Sequence, residues 1–132
     1  MLDIFSQYAT DETLENSGTW FTLGKGARVL VARAGNRQYS RALNKKVETH
    51  RAALDTGDDN ADAVSDEIMA DVMAETILLG WEGLSFKGEP MSYSRENARK
   101  LLLVKDFRRQ IGQFADNFEA FKVKEEAAQG KA

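Results

Sequence analysis

Apolar positions along the chain follow two different periods. Trp20-Phe21-Thr22-Leu23 is a short aromatic and β-branched run, the composition favoured on a pleated surface. In Ala27 to Ala34 the residues Arg28, Leu30 and Ala32 alternate with Val29, Val31 and Arg33. Gly24-Lys25-Gly26 separates the two runs, so the pattern predicts a β-hairpin over about 20–34. A lone hairpin is marginal in water and must pack on something. Beyond Gly35 the period changes. Tyr39, Leu43, Val47, His50 and Leu54 recur at helical spacing after Asn36, a good N-cap, and predict a helix to about Leu54. Asp55 to Asn60, with Gly57, breaks it.

A second helix is predicted from about Asp62 to Gly80. Val64, Ile68, Met69, Val72, Met73, Ile77 and Leu79 give it a wide apolar face, and Gly80 suits its C-terminal cap. Trp81 to Ser92 reads as irregular, with a turn around Gly88 and Pro90. Ser94 fits the N-cap of a short third helix with Ala98, Leu101 and Leu102 facing inward, and Tyr93 is placed to staple back onto its first turn. Asp106 is the expected cap of a last helix, in which Phe107, Ile111, Phe114, Phe118 and Phe121 recur in steps of four and three, the seam of a heptad. Met1 to Gly18 is weakly patterned, with Ile4, Phe5 and Tyr8 able to dock as a short helix. The expected fold is mainly α. An N-terminal β-hairpin packs on a bundle of about four helices within one domain over 1–121, followed by a flexible charged tail over 122–132.

Charge sharpens this picture. Between Lys25 and Arg51 the chain carries Lys25, Arg28, Arg33, Arg37, Arg41, Lys45, Lys46 and Arg51 against Glu48 alone, whereas from Asp55 to Glu75 it is purely acidic. Either the two segments lie side by side and neutralise each other, or one face stays free for a charged partner. The net charge of −3 argues against a general nucleic-acid binder. The 132 residues suffice for one core without staples. Cys is absent and His50 is the single histidine, which removes thiol chemistry and disulfides and leaves little for a zinc site or a triad. No stretch approaches a membrane span, and Met1 to Ala9 lacks the pattern of a secretory leader.

Candidate chemistry is thin. Asp58, Asn60 and Asp62 match the first oxygen ligands of a calcium loop, but Ala63 stands where the sharp turn wants Gly, and Met69 where a bidentate Glu is needed. An acidic helix start explains the cluster better. Gly24-Lys25-Gly26 lacks the rest of a phosphate-binding loop. Asp66, Asp71 and Glu75 share a helix face without metal-ligand spacing, and Met69 and Met73 suit core filling. No catalytic, cofactor or metal residue is assigned, and the chain is expected not to be an enzyme. The candidate partner-binding residues are Phe114, Phe118 and Phe121, where little chain remains to cover the seam, together with Trp81 and Tyr93.

Three stretches carry a resemblance: Ala32-Arg33-Ala34-Gly35-Asn36-Arg37-Gln38-Tyr39; Leu78-Leu79-Gly80-Trp81-Glu82-Gly83 followed by Gly88, Pro90 and Tyr93 to Ala98; and Phe107 to Asn117. In this order and spacing the chain, over roughly residues 18 to 120, resembles the tail assembly chaperones of long-tailed, siphovirus-type bacteriophages. Gly80 departs from the acidic residue expected before the Trp. The resemblance implies a non-catalytic factor in the host cytoplasm. It would bind and solubilise the tape measure protein, help recruit tail tube protein, and be absent from the finished virion. Self-association is an open partner reading. A frameshifted longer form is implied as well, and Gln129-Gly130-Lys131 is compatible with slippery codons. Two rivals are a structural virion protein of the tail or connector, and a small nucleic-acid-binding regulator using the basic helix Arg37 to Arg51.

Overall fold

A computed structural model describes residues 1–123 of the chain. Its order of elements is α1 (Ile4–Tyr8), α2 (Glu12–Ser17), β1 (Thr19–Gly24), β2 (Ala27–Val31), α3 (Arg37–Thr49), α4 (Arg51–Leu54), α5 (Asp59–Thr76), β3 (Leu78–Glu82), β4 (Ser85–Phe86), β5 (Glu89–Pro90), α6 (Arg95–Leu102) and α7 (Lys105–Asp116), closed by a 3₁₀ turn, Phe118–Phe121.

The hairpin forms where the alternation places it. Lys25 and Gly26 both take positive φ, 55° and 78°, the left-handed pair that a two-residue turn requires. The expectation of a mainly α fold is overturned, however, because helices and strands are mixed. A third strand, β3, pairs antiparallel with β2 in the order β1-β2-β3, and β4 and β5 form a second, two-stranded sheet. The expected helix to Gly80 ends at Thr76 instead, and Gly80 lies opposite Leu30 inside the sheet. The physical reason lies in Ile77-Leu78-Leu79-Gly80-Trp81, a continuous apolar run without a period of its own, which suits a buried strand as well as a helix. A two-stranded hairpin would leave β2 with an unpaired edge beside the core, and β3 satisfies that row of backbone groups. Across the three strands Phe21, Val29 and Trp81 share one side and turn inward.

Local capping works largely as the side chains dictate. Asn36 Oδ1 accepts from Tyr39 N at 2.8 Å, and Ser94 Oγ accepts from Asn97 N at 3.0 Å. Asp58 heads α5, accepting from Ala61 N at 3.1 Å and from the Thr56 hydroxyl at 2.7 Å. These bonds, the Thr56 hydroxyl foremost, hold its carboxyl below the usual range. Asp106 is not a cap. The last helix starts at Lys105, two residues earlier than that cap implies, behind Val104, and Asp106 sits in the first turn, where its charge faces the helix dipole and Arg109. The helix expected to reach Leu54 is interrupted at His50, whose Nδ1 lies 2.9 Å from Lys46 O.

The core sits between the inner sheet face and α5, α6 and α7. Val29, Val31, Leu78, Leu102, Ile111 and Phe121 are fully buried. Each such side chain contributes about 1.5–3 kcal/mol relative to exposure. Backbone bonds tie the layers together: Ala32 N donates to Ile77 O at 2.8 Å, and Ala34 N donates to Ala115 O at 2.9 Å. Of the tail expected over 122–132, Lys122 and Val123 are pinned by a bridge from Lys122 to Thr10 and by Val123 N donating to Ala9 O at 3.0 Å. Residues 124–132, including Gln129-Gly130-Lys131, lie outside the described residues.

Candidate partner-binding surface

The heptad seam does not form one stripe. α7 carries Phe107, Ile111 and Phe114, then ends at Asp116, and Phe118 and Phe121 belong to the 3₁₀ turn. Phe121 is fully buried, with its ring centroid 6.3 Å from that of Phe21. Phe114 is half-buried and stacks on Phe21 at 4.5 Å, and Phe118 stacks on Tyr8 at 5.9 Å. Trp81 is buried on β3, where Nε1 donates to Met91 O at 2.7 Å. Tyr93, expected as a staple on the third helix, packs edge-on against Trp81 at 5.0 Å and donates its hydroxyl to Leu78 O at 2.9 Å. Burial raises the pKa of its phenol. The five candidate residues therefore divide into two groups. Phe114, Phe118 and Phe121 close the end of the fold around Phe21 and Tyr8, and Trp81 and Tyr93 finish the outer edge of β3. Phe121 and Trp81 act as core here: Phe121 lies against Phe21 and the N-terminal segment, and Trp81 against Met91 and Tyr93.

The acidic and basic segments meet only in part. α3 packs along α5, yet a single ion pair crosses between them, Lys46 to Asp71 at 3.9 Å. The acids of α5 are neutralised mainly from the C-terminal helices. Arg99 pairs with Asp71, Arg95 with Glu75, and Arg108 with Asp66 at 3.0 Å. The sequence signal for these pairs is a matched spacing: Asp71 and Glu75 are four apart on α5, and Arg95 and Arg99 are four apart on α6. These pairs are half-exposed and set register more than stability. Arg37, Arg41 and Lys45 stay exposed on α3 and make no ion pair among the described residues.

The most exposed apolar side chains lie elsewhere, in the weakly patterned N-terminal segment, where Ile4, Phe5 and Tyr8 do form the short helix but are not buried by docking. Leu2, Ile4, Phe5 and Tyr8 are between 57% and 69% exposed, and α1 buries none of its residues. This arm is held by the Tyr8–Phe118 stack and by Asp11 N donating to Phe121 O at 2.8 Å. It carries Asp3, Asp11, Glu12 and Glu15 and no Lys or Arg up to Gly18. A second, smaller apolar corner is Leu103 and Val104, 42% and 43% exposed, between α6 and α7. On the outer sheet face Trp20 is covered in part by the Arg28 guanidinium, 3.9 Å from its ring centroid, and Arg28 in turn pairs with Glu82 at 2.9 Å.

His50 is half-buried, and its ring contact is a backbone carbonyl of its own helix. Among the described residues no three His, Asp or Glu side chains converge as metal ligands, and no helix is long and apolar enough to cross a membrane. What the arrangement offers is apolar contact area bordered by charge, the chemistry of a protein-binding surface.

No curated protein and no solved structure matches the chain. Over residues 34–132, however, it matches the family model described as YdaY prophage protein. That stretch takes in every element from α3 onward and leaves the arm and the hairpin outside. Since the match spans most of the sequence, the chain belongs to the YdaY prophage protein family and is of phage origin.

Proposed function

We propose that this protein is a phage tail assembly chaperone that binds the tape measure protein, keeps it soluble and helps bring tail tube subunits to it. Phage origin and the resemblance over residues 18 to 120 support the reading. The observation that carries it is the apolar set Leu2, Ile4, Phe5 and Tyr8, which is more open to solvent than Trp20, Leu103 or Val104 on the body. A tape measure chain presents amphipathic helices before the tube encloses them, and an exposed apolar helix face is a complementary surface for such a stripe.

Co-expression with the tape measure protein of the same prophage tests the proposal. The expected result is a higher soluble fraction of tape measure protein and a complex that co-purifies. Absence of a complex at micromolar concentrations would contradict it. Mass spectrometry of purified particles should find the chain missing from the virion.

One observation favours a second reading. Arg37, Arg41 and Lys45 project from one face of α3 at i, i+4 and i+8, a basic stripe suited to phosphates. A gel shift at low salt separates the two, since a chaperone of apolar helices gives none.

A further inference from the structure

The three-stranded sheet treats its two edges differently. In an antiparallel sheet the N–H and C=O groups of successive residues point to opposite neighbours. Ala32 N reaches Ile77 O beside β3, so alternation turns Leu30 toward β3 and turns Val29 and Val31 toward β1. Their partners across the hairpin, Phe21 and Thr19, face β2. The backbone groups of Trp20 and Thr22 therefore point away from the sheet, and no hydrogen bond reaches them among the described residues. Open edges are usually blunted by charge, proline, shortness or a cover. β3 has a cover, because the Tyr93 hydroxyl donates to Leu78 O at 2.9 Å. β4 and β5 are two residues long, and β5 ends in Pro90. β1 has six residues without a charge or a proline, and its irregularity falls between Thr22 and Gly24, past the open groups.

We propose that β1 takes up an extended segment of a partner protein as a fourth, antiparallel strand. The open N–H and C=O groups fix the partner's conformation, since a strand offers both groups at the matching repeat and a helix spends them on itself. The side chains beside the edge fix its pattern. Phe21 and Leu23 on the inner side are half-buried, as is Phe114, which stacks on Phe21 from α7 at 4.5 Å. Trp20 on the outer side is 40% exposed. A strand with apolar residues at alternate positions covers the inner set with one face and lays the other beside Trp20. Charge fixes its direction. Lys25, at the turn end of β1, is exposed and forms no ion pair among the described residues. In antiparallel pairing the N-terminal end of the incoming strand meets it, and an acidic residue there complements it. A second copy fits this edge less well. The irregularity after Thr22 twists the end of β1, and a free peptide follows that twist where the edge of another folded sheet does not. This goes beyond client binding by the arm: α1 offers an apolar helix face, whereas β1 offers a backbone template.

The probe is a capped hexapeptide, glutamate followed by alternating valine and threonine, titrated through the millimolar range into the isotope-labelled full chain and followed by NMR. Amide shifts should move along β1 and at Phe114, and hydrogen exchange of the Trp20 and Thr22 N–H groups should slow about tenfold or more at saturation. The same peptide, N-methylated at the residues that face β1, should produce neither effect. Thr22→Pro removes an outward donor at an edge position and should weaken binding about tenfold or more, with a circular dichroism melt to establish its fold. Should that variant not fold, Lys25→Glu replaces it. That variant should weaken the glutamate-headed peptide and strengthen a lysine-headed one. Unchanged Trp20 and Thr22 amides at the highest peptide concentration overturn the proposal, and so does equal binding by the N-methylated peptide. Protection of the two amides that grows with protein concentration in the absence of peptide also overturns it, since that result assigns the edge to a second copy. None of these results bears on tape measure binding, which is measured separately.

Discussion

α5 and α1 are both helices rich in large apolar residues, but they treat those residues in opposite ways. α5 buries Ile68, Val72 and Met73 against the sheet and its neighbouring helices, and its N-cap, ion pairs and backbone contacts all agree with that placement. α1 leaves Ile4, Phe5 and Tyr8 in water and is tied to the body by one aromatic stack and a few backbone bonds. Apolar side chains in the first set specify the fold, whereas those in the second are available to another polypeptide. A hydrophobic residue is thus assigned a role by what covers it, not by its type.

The sharpest way to break this comparison is to truncate one aromatic from each region. Phe121→Ala removes a fully buried ring and should cost about 3–5 kcal/mol in urea denaturation. Phe5→Ala should change the same quantity by less than about 0.5 kcal/mol. Comparable effects would erase the distinction between body and arm. A smaller loss is expected from Gly83→Ala. Gly83 has φ +76°, and a Cβ there would meet Gly26 O at 2.8 Å, so the backbone of the sheet's open end must shift. Destabilisation above about 1 kcal/mol is expected, read from the denaturation midpoint. Asn36→Ala, which removes the cap where the hairpin hands over to α3, should cost about 1 kcal/mol.

The weakest effect is the response to acid. Glu82 is held below the usual carboxylate range by its hydrogen bonds to Arg28, and Asp58 by the Thr56 hydroxyl and the Ala61 N–H. A carboxylate with a lowered folded-state pKa adds stability above its unfolded value and loses it as pH falls through the folded one. Thermal stability should therefore decline below about pH 4, and Glu82→Gln or Asp58→Asn should each flatten part of that decline. Both groups are exposed, so the change is small.

Much of the local structure was legible in the residues. Asn36 and Ser94 announce their helices because their side chains satisfy orphan N–H groups at short range, and Lys25-Gly26 makes its turn for equally local reasons. β3 was not legible. Its apolar run obeys no period, and its conformation is decided by the free edge of β2, nearly fifty residues earlier. The same holds for Phe118 and Phe121, which continue the seam in sequence but not in space, because Asn117 turns the chain into a 3₁₀ helix. The bond from Tyr93 to a carbonyl on β3 cannot be seen from its sequence neighbours, which point only to a staple on α6. The short helix of Ile4, Phe5 and Tyr8 is legible, but its exposure is not, because exposure depends on which surfaces the rest of the chain leaves uncovered. The acidic segment was readable as a neutralised face, but its main partners, Arg95, Arg99 and Arg108, lie beyond the basic block that drew attention.

The role given to the arm is tested most directly by titrating a tape measure fragment into the wild-type chain and into the Ile4→Asp/Phe5→Asp variant, with circular dichroism melts to establish that both are equally folded. The expected result is an affinity at least tenfold weaker for the variant at an unchanged melting temperature. Equal affinities for the two chains would contradict the assignment of partner binding to Leu2, Ile4, Phe5 and Tyr8.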